Sequence, residues 1–302
     1  MADGKSGVRA AGEQRGVSAG DDSRFAPEWL ELRERADAAA RAPGLLRPLR
    51  TWLSGRAVAQ DRGLVIRDLG CGTGSMGRWL AVRLPGPQHW ILHDHDAALL
   101  ARAECRLPAS ARDGSPVTAT AEHGDLARLT ADALVGTSLV TASALLDLLT
   151  ADEVRALAAA CAGAGCPALL ALSVAGRVEL TPSDPLDAEI GAAFNDHQRR
   201  TDRGRRLLGP DAVAAATDAF ERHGAMVHVQ PSPWRLGGPE DALTAEWLRG
   251  WVGAACAQRP DLAPRAAPYL RERLSACAVG ELSVMVQHTD LLALPQPLPG
   301  SG

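Results

Sequence analysis

The sequence predicts an α/β protein built on a doubly wound, mostly parallel sheet. Three observations carry that expectation. Short apolar runs alternate with helical stretches from Leu64 onward. Glycines alternate from Gly70 to Gly74, with Gly77 following, where the first strand turns into a helix. Acidic residues, Asp68, Asp94 and Asp125, stand at or just beyond the ends of the first three strands. Strands that alternate with helices pair in parallel and are covered on both faces.

The elements follow in order. "EWLELRERADAAAR" (28–41) sets Trp29, Leu30 and Leu32 beside charged positions, which gives an amphipathic helix ended by Pro43-Gly44. A second helix follows in "LLRPLRTWLSG". Strands are expected at 64–69, 89–94, 117–125, 138–145 and 168–174, and helices at 76–84, 97–105 and 151–165. From Ala175 to Leu208 the rhythm breaks. This stretch is polar, with Arg199, Arg200, Arg203, Arg205 and Arg206 close together, and reads as a cap inserted over the active edge of the sheet. A helix (210–224), a strand (225–231), two helical stretches (about 240–257 and 265–277) and a last strand (281–288) complete the chain. The expected division is a disordered tail (1–24), one domain (25–294) and a Pro-rich tail (295–302). Within the domain, 25–56 are N-terminal helices, 64–174 the binding core, 175–208 the cap and 209–294 the C-terminal half.

Composition narrows the function. A chain of 302 residues with 46% hydrophobic and 23% charged content buries a large core. A net charge of −4 argues against nucleic acid as a partner. The six cysteines show no CxxC spacing, which suits buried thiols in a reducing cytoplasm and argues against a zinc site, so no metal is expected. No apolar run is long enough to span a bilayer.

The glycine loop admits two readings. Gly72-Thr-Gly74-Ser-Met-Gly77 fits the G-x-G-x-x-G of a dinucleotide site, with Asp94 at the spacing of a ribose acid. The register favours another pattern, because the strand ends at Asp68 and Gly70 already begins the turn. Asp68-Leu-Gly70-Cys-Gly72-Thr-Gly74 resembles motif I of the class I S-adenosylmethionine (SAM)-dependent methyltransferases, an acid followed by G-x-G-x-G. "HDHDAALLARA", "HGDLARL" and "LVTASALLD" extend the resemblance over roughly Leu64 to Val174. Ser138 departs from it, standing where the fourth strand of that family often opens with an acid.

The resemblance implies a Rossmann-like, seven-stranded sheet with an antiparallel last strand, and SAM as cofactor. Asp68, Gly70, Cys71, Gly72 and Gly74 would border the methionine moiety, since glycines let backbone approach a ligand without a Cβ. It places Asp94 on the ribose hydroxyls with His95 beside them, and Asp125 with the Leu126 backbone on the adenine. Ala142 and Ser143 would border the methionine end. Asp96 is expected to cap the next helix instead.

Ligands of open α/β sheets bind beyond the carboxyl ends of the strands. The acceptor would therefore meet Asn195, Gln198, Trp234 and Arg235, with His197 or Asp147 as a proton acceptor. The expected activity is methyl transfer from SAM to a small-molecule acceptor by in-line displacement, with no nucleic-acid or membrane partner. The alternatives are an NAD(P)-dependent oxidoreductase and a non-catalytic SAM-binding protein.

Overall fold

The structure is a computed structural model that describes residues 26–57, 63–125 and 129–296. The expected tail 1–24 and Leu126 lie outside the described residues.

The sheet runs in the order β3-β2-β1-β4-β5-β10-β8, and β9 pairs with β10. The first five strands are β1 (Leu64–Leu69), β2 (Gln88–Asp94), β3 (Val117–His123), β4 (Leu139–Ser143) and β5 (Ala168–Thr181). They pair in parallel. β10 (Ser283–Leu294) is antiparallel to β5, to β8 (Met226–Pro231) and to β9 (Trp234–Leu236). The chain leaves β1 toward one edge and returns through β4 toward the other, so the strand order reverses between β1 and β4. That is the switch point where such sheets open a crevice.

Three apolar clusters hold the layers. α2 (Leu46–Ala57), α3 (Ser75–Ala81) and α4 (Ala97–Arg106) cover one face through Leu49, Trp79, Leu80 and Ala103 against Ile66, Trp90 and Leu92. α5 (Ala151–Ala164) and α7 (Ala212–Arg222) cover the other through Leu157, Ala158, Ala216 and Phe220. α5 opens on a reciprocal capping box between Thr150 and Glu153 and closes on Gly165 in the left-handed conformation.

The third cluster changes the expectation for 175–208. That stretch is not a polar cap outside the core. β5 runs on to Thr181, and α6 (Pro185–Gln198) buries Ile190 and Ala193 against Trp247, Leu248 and Trp251 of α8 (Asp241–Gln258). α9 (Ala263–Ala278) closes this layer through Ala266 and Tyr269. Most of the arginines follow α6, in the short hairpin of β6 (Thr201–Asp202) and β7 (Arg205–Arg206). β10 is likewise longer than expected, because the apolar run Leu291–Leu294 continues the ladder opposite β5 and β8.

One buried carboxylate ties the central strands to the N-terminal helices. Asp290, 2% exposed, accepts from the Ala42 and Leu172 backbone N–H groups, each at 2.8 Å, and from the Ser232 hydroxyl at 2.5 Å. Leu172 sits at φ +56°, a conformation costly for a branched side chain, opposite a register shift in β10 between Thr289 and Leu291. Asp290→Ala leaves three donors without an acceptor. The expected loss is about 3 kcal/mol of folding stability in urea unfolding, with Asp290→Asn losing less. A loss within about 0.5 kcal/mol would show that the carboxylate is not what holds these segments.

Candidate active site

The crevice at the β1–β4 switch point holds two adjoining cavities that share Gly70, Asp94, His95, Leu145 and Leu148. The inner one, about 140 Å3, is lined by Asp68, Gly70, Cys71, Gly72, Ser75 and Ser143, and by Leu30, Arg33 and Asp37 of α1 (Pro27–Ala40). The outer one, about 650 Å3, is lined by His93, Gly124, Asp125, Leu149, Glu153, Leu157 and Arg205.

The glycine loop takes its shape from positive φ at Gly70 (+59°) and Gly72 (+55°). A side chain is strained there, and a Cβ would also press on Leu145 at 3.1 Å and Leu30 at 3.2 Å. Gly74 shares the positive φ (+83°), and Gly74 and Gly77 also serve packing. A Cβ on Gly74 would meet Ala103 of α4, and one on Gly77 would stand 2.7 Å from Leu107. Gly74, expected among the binding glycines, is not among the residues lining the cavities. Cys71 is buried, which pushes its thiol well above the usual range and keeps it protonated.

Asp94 grips the loop. Its Oδ2 accepts from the Gly72 N–H at 2.8 Å, and its Oδ1 accepts from the Asp96 N–H at 3.0 Å. Asp94 lines both cavities, at the point where they meet. Asp96 caps α4, accepting from the Ala98 and Leu99 N–H groups. His95 is largely exposed, with Nδ1 3.3 Å from Asp94 Oδ1. Asp125 lines the outer cavity. Ser143 lines the inner one, whereas Ala142 is buried against the α5–α7 cluster.

Asp68 is the strongest electrostatic feature. It is 0% exposed and stands in register with Thr141 of β4, whose hydroxyl donates to Oδ1 at 2.7 Å. Its Oδ2 is buried with no hydrogen-bond partner among the described residues. Burial raises its pKa to about 7, against the opposing effects of Thr141 and Arg41.

The α1 wall is what the sequence reading missed. Arg33 donates to both Asp37 oxygens, at 2.9 and 3.2 Å, and its guanidinium lies 5.0 Å from the Trp234 ring. Trp234 in turn donates to Asp37 Oδ1 at 2.9 Å. Glu34 pairs with Arg78 of α3 at 2.6 and 2.7 Å, which pins α1 over the loop. The helix therefore carries charged side chains inward beside Leu30 and Trp29: Asp37 is its one buried residue, and Leu32 is 37% exposed. The spacing Leu30, Arg33, Asp37 is a single helical face, the signal that was available in the sequence.

The expected acceptor residues are not brought together. Trp234 is buried behind Arg33 and Asp37, next to His288, with ring centroids 5.2 Å apart. Arg235 points the other way along β9, exposed, with its guanidinium on the Met285 sulfur. Asn195 donates to the Gly176 carbonyl at 2.7 Å and so fastens α6 to β5. His197 and Gln198 lie on the same helix and line neither cavity. Burial lowers the His197 pKa, with Arg200 adding to it. Asp147 follows β4 between two cavity-lining leucines. It lines neither cavity itself, its Oδ1 has no partner among the described residues, and burial raises its pKa.

No known family model matches the chain, and no curated protein is similar to it. Several solved structures are similar. They include the cyclopropane synthase MmaA2 from Mycobacterium tuberculosis, at 13% identity over 90% of this chain and 100% of that one, with a TM-score of 0.41. A SAM-dependent methyltransferase from Thiobacillus denitrificans, in complex with S-adenosyl-L-homocysteine, is 15% identical over 90% of this chain and 99% of that one, with a TM-score of 0.42. A putative sarcosine dimethylglycine methyltransferase from Galdieria sulphuraria is 11% identical over 89% and 97%, with a TM-score of 0.39. Likenesses this distant assign no activity, and the functional reading rests on the residues of the site. Among the described residues no helix is long and apolar enough to cross a membrane, and no cluster of His, Cys, Asp and Glu could hold a metal ion.

Asp68 makes stability pH-dependent in a defined direction. Between about pH 4 and pH 7 the unfolded chain has released this proton and the folded one has not, so stability falls as pH rises through that window. Asp68→Asn should remove up to about 1.4 kcal/mol per pH unit of that slope, read from urea midpoints at pH 5, 6 and 7. Identical slopes in the two proteins would mean that Asp68 is ionised throughout.

Proposed function

We propose that this protein is a SAM-dependent methyltransferase acting on a small-molecule acceptor by in-line displacement. The observation that carries the reading is the unpartnered Asp68 Oδ2 lining the inner cavity beneath the glycine loop. A buried carboxylate there suits a cationic group such as an amino acid's ammonium and opposes a pyrophosphate, which the dinucleotide alternative requires at the same loop. SAM, when bound, supplies a methyl group activated by a sulfonium.

The chain's own residues supply position and exclusion of water. Gly70 and Gly72 give the amino-acid portion backbone contact. Asp94 holds the loop through Gly72 and presents its carboxylate where the two cavities meet, the place proposed for the ribose. The wider outer cavity, with Asp125, Leu149 and Leu157, is proposed for the adenine. α1 closes the inner cavity with Leu30, Arg33 and Asp37, and the acceptor is proposed to approach along this wall.

The test compares S-adenosylhomocysteine, SAM and NADH as stabilisers in thermal unfolding. The two adenosyl ligands should raise Tm and NADH should not, because a ligand bound only by the folded state stabilises by mass action. Stabilisation by NADH alone would overturn the reading. Asp94→Ala should weaken S-adenosylhomocysteine binding at least about tenfold by calorimetry, since it removes a charge-assisted acceptor and frees the loop. Turnover of a labelled methyl group on an acceptor panel separates an enzyme from a non-catalytic SAM-binding protein.

A further inference from the structure

Arg41, at the end of α1, is 2% exposed, and none of its nitrogens is in an ion pair among the described residues. Its Nη2 donates to Ser75 Oγ at 3.0 Å and to Ser143 Oγ at 3.1 Å. Nε and Nη1 are buried and have no partner among the described residues. The guanidinium lies 5.7 Å from the Trp79 ring, with the charges of Asp37, Asp290 and Asp68 around it. A full charge in this position is costly to bury, and packing alone needs only an apolar side chain.

The two serines show what the charge is for. Both line the inner cavity, Ser75 at the start of α3 and Ser143 at the end of β4. A hydroxyl oxygen that accepts from a guanidinium keeps its O–H as a donor, and the cation polarises it. Neither hydroxyl has another hydrogen-bond partner among the described residues. The cavity therefore presents two adjacent O–H donors backed by a buried cation. The same cavity carries the unpartnered Asp68 Oδ2, an acceptor. Paired donors on one side and a carboxyl group that a bound ammonium would hold ionised on the other match an amino-acid zwitterion.

We propose that Arg41, acting through Ser75 and Ser143, is the positioning residue for the α-carboxylate of the cofactor's methionine portion, an inference that rests on the methyltransferase reading. Asp68 takes the α-ammonium, and the two subsites fix the amino-acid end so that the remainder of the ligand is directed toward Asp94. Ser75 and Ser143 are brought side by side by the loop after β1 and the end of β4, and Arg41 reaches both from the N-terminal helix.

The experiment measures equilibrium binding of two ligands by calorimetry: S-adenosylhomocysteine and its decarboxylated analogue, S-adenosyl-3-thiopropylamine. The wild-type protein should favour S-adenosylhomocysteine at least about tenfold, the scale of one charge-assisted hydrogen bond. Arg41→Met should lower affinity for S-adenosylhomocysteine by about tenfold or more and leave the analogue within about twofold. Asp68→Asn should weaken both ligands, because both keep the ammonium. If Arg41→Met does not fold, Ser75→Ala and Ser143→Ala carry the same comparison. Equal losses for the two ligands, or a wild-type protein that does not discriminate between them, would overturn the carboxylate subsite and leave the methyltransferase reading standing. A wild-type protein that binds neither ligand overturns both.

Discussion

The structure depends on a nest of buried charge beneath the glycine loop. Arg41 sits among Asp37, Asp68 and Asp290, and all four are nearly or fully withdrawn from water. Charges buried in this way persist only when their hydrogen-bonding capacity is met. Two of the acids are well supplied. Asp290 receives two backbone N–H groups and a serine, and Asp37 receives Arg33 and Trp234. Asp68 receives Thr141 alone, and two of the Arg41 nitrogens receive nothing from the described residues. The deficits fall on the groups at or just behind the inner cavity, one acceptor and one donor set. Among these four residues the unmet hydrogen-bonding capacity belongs to Asp68 and Arg41 alone.

Some of this was legible in the sequence because the physics is local. The loop after β1 needs positive φ at alternate positions, Gly70, Gly72 and Gly74, and glycine is the residue that tolerates it. Asp68, Asp94 and Asp125, expected at the strand ends, each line one or both of the two cavities, and Asp96 caps α4 as expected of Asp. The antiparallel last strand followed from the resemblance, and β10 bears it out.

What was missed depends on contacts between distant segments. Arg33, Asp37 and Arg41 lie on the inward side of α1 among Trp29, Leu30 and Ala36, so hydrophobic periodicity finds the apolar residues of that side and passes over the charged ones. Gly74 reads as a ligand glycine and Gly77 as part of the alternative dinucleotide pattern, and their neighbours in the structure are Ala103 and Leu107, some thirty residues away in the chain. The segment after Val174 reads as a polar insertion because of its arginines between Arg199 and Arg206, while Val178 and Leu180 of β5 turn inward to a cluster completed only by α8 and α9. The acceptor candidates failed to assemble for the same reason. Alternation along β9 sends Trp234 inward and Arg235 outward, which a single sequence does not disclose.

α1 touches two parts of the molecule at once. Through Glu34 it is fastened to Arg78 on the loop side, and through Asp37 to Trp234, beside His288, on the β9–β10 side. His288 is held neutral there, its pKa brought down to about 4 by burial and by Arg33. A rigid helix clamped at both places cannot swing away from one and keep its seat on the other. Parting α1 from the inner cavity would therefore also part Asp37 from Trp234 and Arg33 from its ring, so the wall of the cavity and the packing beside β9 stand or fall together.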